Sequence, residues 1–285
     1  MEKSFWRSIV EADYNVPAGY TAQELTPELM AYLGSTDPEL RDGFGYPILD
    51  AWVHRGLYSD DEKRGMMARL AENLMNGIGE TNSDSVFLRA FSVLMLAELV
   101  HEDNQRHWLQ EAEARQLLEL ALVYLEAERD VRGWVPEKGW AHSPAHAADL
   151  LFTLARNRYL GAAELERLLL AIQTKSFDPL ALPYLYDEDE RLAQPVVAAL
   201  RRGLLSVEVL VSWLDGLIHP QGLPSWNESF LMGEWVVARH NVKLLLRSLY
   251  GQLTFTSAMP PGALEFLPHL AEAIKSLSEW YVHDE

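Results

Sequence analysis

Apolar residues recur along this chain at the three- and four-residue spacing of amphipathic helices. Nowhere do they alternate at period two over a run long enough to need a sheet. The strongest stretch follows Ser83 and Asp84, either of which can cap a helix whose packed side carries Phe87, Phe91, Leu94, Met95 and Leu99. The same pattern predicts helices over 4–13, 111–130, 161–175, 187–202 and 206–218, with Pro195 bending the fourth of these. Start signals add others. Thr26 followed by Pro27 opens a short helix that Gly34 ends, and Ser59 opens one that Gly77 and Gly79 close. Asp37 and Pro38 begin a further helix that Gly43, Gly45 and Pro47 should kink or break near Tyr46. A long helix is expected from Glu228 to about Leu253, and a last one from Pro260 or Pro261 to near Tyr281. Residues 177–185 read as irregular.

Helix pairs joined by short turns point to an all-α protein. The expected architecture is a curved array of helical hairpins, a HEAT- or armadillo-like α-solenoid, with a closed α/α toroid as the alternative. No low-complexity linker interrupts the chain, so 1–285 is expected to be a single helical-repeat domain. A weak repeat supports this. Asp37, Asp84, Asp130 and Asp187 stand 47, 46 and 57 positions apart, and each has an arginine within five residues: Arg41, Arg89, Arg132 and Arg191. Two-helix repeats run at about 40–47 residues, so the third step requires an insertion. Stacked repeats align their helix starts along one edge. Asp37, Arg41, Asp42, Asp84, Arg89, Asp187 and Arg191 would then line a polar groove. The simpler reading is that each acid caps its own helix and each arginine pairs locally, at a few tenths of a kcal/mol per exposed pair.

The insertion is the stretch GWVPEKGWAHSPAHAADLLFTL over 133–154. Gly133, Pro136 and Gly139 favour a fixed turn, and Trp134 and Trp140 are large enough to pin it to a core and to offer aromatic contacts to a ligand. Ser143 suits an N-cap and Pro144 the first helical position. Beyond them His146, Asp149, Thr153 and Asn157 form one stripe, opposite Ala147, Ala148, Leu151 and Leu154, so His146 and Asp149 are expected to avoid the core. Two imidazoles and a carboxylate, His142, His146 and Asp149, could hold a divalent metal such as zinc or non-haem iron, with Glu137 as general base. The spacing matches no established zinc signature, so the simpler reading comes first: Asp149 orients His146 one turn away, both facing water, while His142 bonds to the loop backbone.

Composition removes several alternatives. The formal net charge is −18, from 42 acids against 24 bases, which disfavours a nucleic-acid or anionic-membrane surface and favours basic or cationic partners. Without cysteine there is no disulfide, thiolate ligand or cysteine nucleophile. No apolar run has the length of a membrane span or the form of a signal peptide, so a cytoplasmic location is expected. No G-x-S-x-G or phosphate-cradling glycine loop is present.

Three segments together resemble one family. They are L-G-S-x-D-P-E-L-R-D over 33–42, G-E-x-x-S-D-S-V-F-x-R-x-F-S over 79–92 and G-W-x-H-x-x-A-H-x-x-D-L-L over 139–151. As a set they are similar to the bacterial domain-of-unknown-function family 2785, with Ala90 where that family would be expected to carry serine. The resemblance implies one bacterial domain type and transfers no activity. The leading expectation is a binding module for a protein, a peptide or a small molecule, with a metal-dependent hydrolase at His142, His146 and Asp149 as the alternative. A purely structural member of a complex ranks third.

Overall fold

The computed structural model describes residues 1–178, 182–220 and 225–278. These residues form an all-α protein divided into two compact units, Met1–Thr153 and Leu154–Glu285. The expected end of the last helix near Tyr281, and residues 221–224 before the long helix, lie outside the described residues.

The first unit contains α1 (Lys3–Glu11), α2 (Ala22–Tyr32), a π-helical segment (Glu39–Gly45), α3 (Tyr46–His54), α4 (Asp60–Leu74), α5 (Ser85–Arg106) and α6 (Glu111–Ala127). A two-residue hairpin follows, β1 (Trp134–Val135) against β2 (Gly139–Trp140), and α7 (Ser143–Ala155) runs into the second unit. Helix α5 is the axis. It is buried almost all round along its first four turns, and α3 and α4 pack against it. Trp6 and Trp52 anchor the flanking helices, and the Trp52 indole N–H donates to the Tyr14 carbonyl at 2.7 Å.

Three helix starts differ from expectation. Helix α2 begins five residues early, because Thr21 and Glu24 form a reciprocal capping box that outweighs the Thr26–Pro27 signal. Pro27 lies inside the helix, and the Thr26 hydroxyl bonds back to the Ala22 carbonyl. The chain after Asp37 winds as a π-helix and tightens to α only at Tyr46, where a break was expected. Gly45 permits this, since a Cβ there would stand 2.9 Å from Tyr32 Cβ. Ser143 does not cap α7. Its hydroxyl donates to the Asp130 carbonyl, and His142, in left-handed conformation (φ 56°), accepts the His146 backbone N–H instead.

The second unit contains α8 (Ala162–Ser176), α9 (Glu188–Arg202), α10 (Val207–Ile218), a 3-10 turn (Glu228–Leu231), α11 (Gly233–Phe255) and α12 (Ala263–Ser276). The long helix therefore starts at Gly233, with Glu228 in the separate 3-10 turn. Helix α11 packs on α9 and α12, and Arg202 closes the end of α7 by donating to the carbonyls of Ala155, Asn157 and Leu160 at 2.8–2.9 Å. Among the described residues no helix is long and apolar enough to cross a membrane.

Candidate functional site

The first unit brings Arg41 and Asp84 to the hairpin and Arg132 to the segment before it, one member of each of three Asp–Arg pairs. Arg41 is fully buried in the π-helical segment, its guanidinium over the faces of Phe87 and Phe91 at 4.2 and 4.9 Å from the ring centroids. It donates to the Asp42 carboxylate at 2.7 Å and to the carbonyls of Ser35 and Lys138 at 2.6 Å each. Burial pushes its pKa down and that of Asp42 up, against their mutual attraction. Asp37 pairs with Lys3 and accepts the Glu39 backbone N–H at 3.0 Å.

Asp84 carries no capping bond. Its carboxylate takes the Lys138 ammonium at 2.7 Å to each oxygen, so one hairpin residue holds Arg41 through its carbonyl and Asp84 through its side chain. Arg132 donates to Asp130 and to the Ser83 carbonyl, tying the strand before the hairpin to the start of α5. Arg89 is a structural residue. It is fully buried, gripped by Glu128 at 2.6 and 2.9 Å, and its remaining donors reach Asn76, Gly77 and Ser85. Asp187, left-handed at φ 64°, and Arg191 open α9 in the second unit, where Arg191 N–H donates to the Asp187 carbonyl at 3.0 Å.

In front of the start of α5 lies a cleft of about 900 Å³ between α2 and α4. Met30, Met66 and Leu88 give it an apolar floor, and Arg69, Asn73 and Asp84 lie on its polar side.

The hairpin displays Trp134, about half exposed, edge-on to Trp140 at 5.1 Å between centroids. Trp140 stacks on His142 at 4.9 Å, His142 meets His146 at 5.7 Å, and His146 meets Phe91 at 5.1 Å. Contrary to the stripe expectation, His146 is only 7% exposed and its Nδ1 lies 3.1 Å from the Ala90 carbonyl. Thr153 and, just past the helix, Asn157 are buried too, while Asp149 between them and His146 is half-buried. Glu137 occupies the exposed tip of the hairpin turn in left-handed conformation (φ 64°).

The aromatic strip leads to a second cluster, on α3 and α5. Phe91 also contacts Tyr46, whose hydroxyl donates to Glu98 at 3.0 Å. Among the described residues, the group of imidazoles and carboxylates that brings its ligand atoms within 4.8 Å of one another is Asp50, His54 and Glu98. His142, His146 and Asp149 do not form such a group. His54 Nε2 lies 3.0 Å from Asp50 Oδ1 and 2.9 Å from Glu98 Oε2, and His101 sets its ring edge-on to His54 at 5.2 Å. Hydrogen bonding to Asp50 and then Glu98 pushes the His54 pKa up to about 10. Burial raises Glu98, but His54 and Tyr46 outweigh it and hold the carboxyl below its ordinary value. Burial first, then the charges of Glu98, Asp50 and Asp149, push Tyr46 well above its own. The signal in the sequence was an acid followed by a histidine one turn later on two neighbouring helices: Asp50 and His54 on α3, Glu98 and His101 on α5.

No curated protein and no solved structure matches the chain. The model of one family, described as Protein of unknown function (DUF2785), matches residues 74–250, and the chain belongs to that family.

Proposed function

For this member of that family we propose a binding module whose ligand enters the cleft between α2, α4 and the start of α5. The observation that supports it most is the position of Asp84. It is a half-exposed carboxylate on the wall of a cleft of about 900 Å³, tied through Lys138 to the tryptophan hairpin. That volume is in the range of small-molecule sites, roughly 300–1,000 Å³. The apolar floor takes a hydrophobic body and the polar side takes its hydrogen-bonding end. With a net charge of −18, a ligand carrying a cationic group is favoured. The reading assumes HEAT-like stacking of helical hairpins, for which the packing of α3 and α4 on α5 is the support in the first unit.

A panel of drug-like fragments and short lysine- or arginine-bearing peptides, screened by thermal shift and protein NMR, tests this. Ala31→Trp plugs the cleft from an exposed wall position without touching the core. Hits that stabilise the wild type and lose their effect in Ala31→Trp, and cationic hits that also weaken in Asp84→Asn, support the proposal. A panel in which no hit distinguishes wild type from Ala31→Trp refutes it.

A further inference from the structure

We propose that Asp50, His54 and Glu98 form a binding site for a first-row divalent metal ion, independent of the cleft. Two helices supply the ligands. Asp50 and His54 stand one turn apart on α3, and Glu98 faces them from the middle of α5. Because α3 packs directly on α5, the three groups are set by helix packing rather than by loop conformation.

The three ligand atoms already lie close enough together, within 4.8 Å of one another, to share one ion. Ligands about 2.1 Å from one metal stand roughly 3.0 Å apart at right angles and roughly 3.4 Å apart in a tetrahedron. His54 Nε2 is 3.0 Å from Asp50 Oδ1 and 2.9 Å from Glu98 Oε2. A single Nε2–H cannot point at both carboxylates, and here it serves Glu98. Asp50 Oδ1, itself buried, is left with an ion-pair contact to the same nitrogen at 3.0 Å and no well-directed hydrogen bond. The two carboxylates thus share one N–H, and a cation that displaced the imidazole proton would bind both of them together with the freed lone pair.

The surroundings fit as well. Tyr46 donates to the other oxygen of Glu98 at 3.0 Å, the outer hydrogen bond that orients a ligating carboxylate. Two carboxylates and one imidazole form a mixed oxygen–nitrogen set, suited to Zn²⁺, Mn²⁺ or Fe²⁺ rather than to Cu⁺, which prefers sulfur. The side chains of Asp50, His54 and Glu98 are 32%, 30% and 21% exposed, which leaves coordination positions open to water. Three protein ligands with an open position is the arrangement of reactive rather than structural zinc sites.

The test uses tag-free, full-length protein, stripped with chelator, desalted and titrated calorimetrically with Zn²⁺ and with Mn²⁺. One ion of at least one of the two metals per chain is expected. Glu98→Gln and Asp50→Asn should each weaken binding by roughly tenfold or more, and a His142→Gln/His146→Gln double variant should leave it unchanged. Thermal melts verify that each variant is folded. Should Glu98→Gln fail to fold, Asp50→Asn carries the test alone, since the Asp50 side chain is about a third exposed and the isosteric change loses only its ion pair with His54. The proposal is overturned by the absence of stoichiometric uptake of either metal in the wild type, by unchanged affinity in folded Asp50→Asn, or by binding that disappears only in the double variant.

Discussion

Glu128→Gln probes the interior of the first unit most directly. Arg89 and Glu128 are 0% and 3% exposed, and their two hydrogen bonds of 2.6 and 2.9 Å join α5 to the end of α6. Burial works against the guanidinium charge, yet Glu128 outweighs it, so Arg89 is held protonated more firmly than usual. Glutamine keeps the shape and one acceptor but removes the counter-charge. The three bonds from Arg89 Nη1 to Asn76, Gly77 and Ser85 remain, so the arginine stays in place as an uncompensated buried cation. Breaking such a pair costs about 3–5 kcal/mol. For a unit of this size, each kcal/mol lowers Tm by about 2–4 °C, giving a drop of roughly 6–20 °C. Two units need not unfold together, so the assay is denaturant-dependent hydrogen exchange read on α5 and α6 peptides. Glu111→Gln is the control, because its partner Arg115 is exposed on the same helix and the change should cost under about 0.5 kcal/mol. A double Arg89→Met/Glu128→Leu variant should recover part of the loss. If Glu128→Gln stays within about 1 kcal/mol of the control, the buried pair does not hold α6 to α5 and the reasoning fails.

Three further outcomes are expected. Burial raises the Glu113 carboxyl, but the 2.7 Å bond from Arg64 outweighs it, so the folded pKa lies below the unfolded one. The stability difference between wild type and Glu113→Gln should thus be full above about pH 4.5 and shrink as the solution is acidified through the folded pKa, as denaturant melts across that range would show. Gly139→Ala forces an L side chain into φ 78° with its Cβ 3.0 Å from both Arg41 Nη2 and Pro38 Cβ. It should cost more than about 1 kcal/mol and weaken the near-ultraviolet circular dichroism of the Trp134–Trp140 pair, while Gly19→Ala, at φ 88° with open space around it, should cost less. Lys138→Met should change stability by less than about 1 kcal/mol, because its pair with Asp84 is exposed, and hydrogen exchange in β1 and β2 should stay slow.

The helical class and most helix positions were legible because apolar spacing is a local property. The repeat of aspartates located the starts of α5 and α9 and the approach to the hairpin. What spacing could not show was where each charge goes once helices pack. Arg89 reads like any surface arginine until Glu128, thirty-nine residues on, is folded against it. His146 appeared on a polar stripe because the stripe records residue type and not what covers it. Asp50, His54 and Glu98 were passed over for a related reason. A histidine near a helix end is ordinary, and its meaning depends on the carboxylate that α5 presents to it. The His142–His146–Asp149 reading relied on closeness in sequence, which does not by itself bring ligand atoms together.

Lys138 grips its surroundings with two chemically different hands. The grip on Arg41 is made by a peptide oxygen, which every amino acid possesses, so substitution at this position leaves the hairpin's seat intact. The grip on Asp84 is made by a long, solvated amine that can swing away in nanoseconds. On the proposed reading of the cleft, an incoming cation would take over the aspartate by exchange with the lysine while the hairpin's seat on Arg41 stays in place.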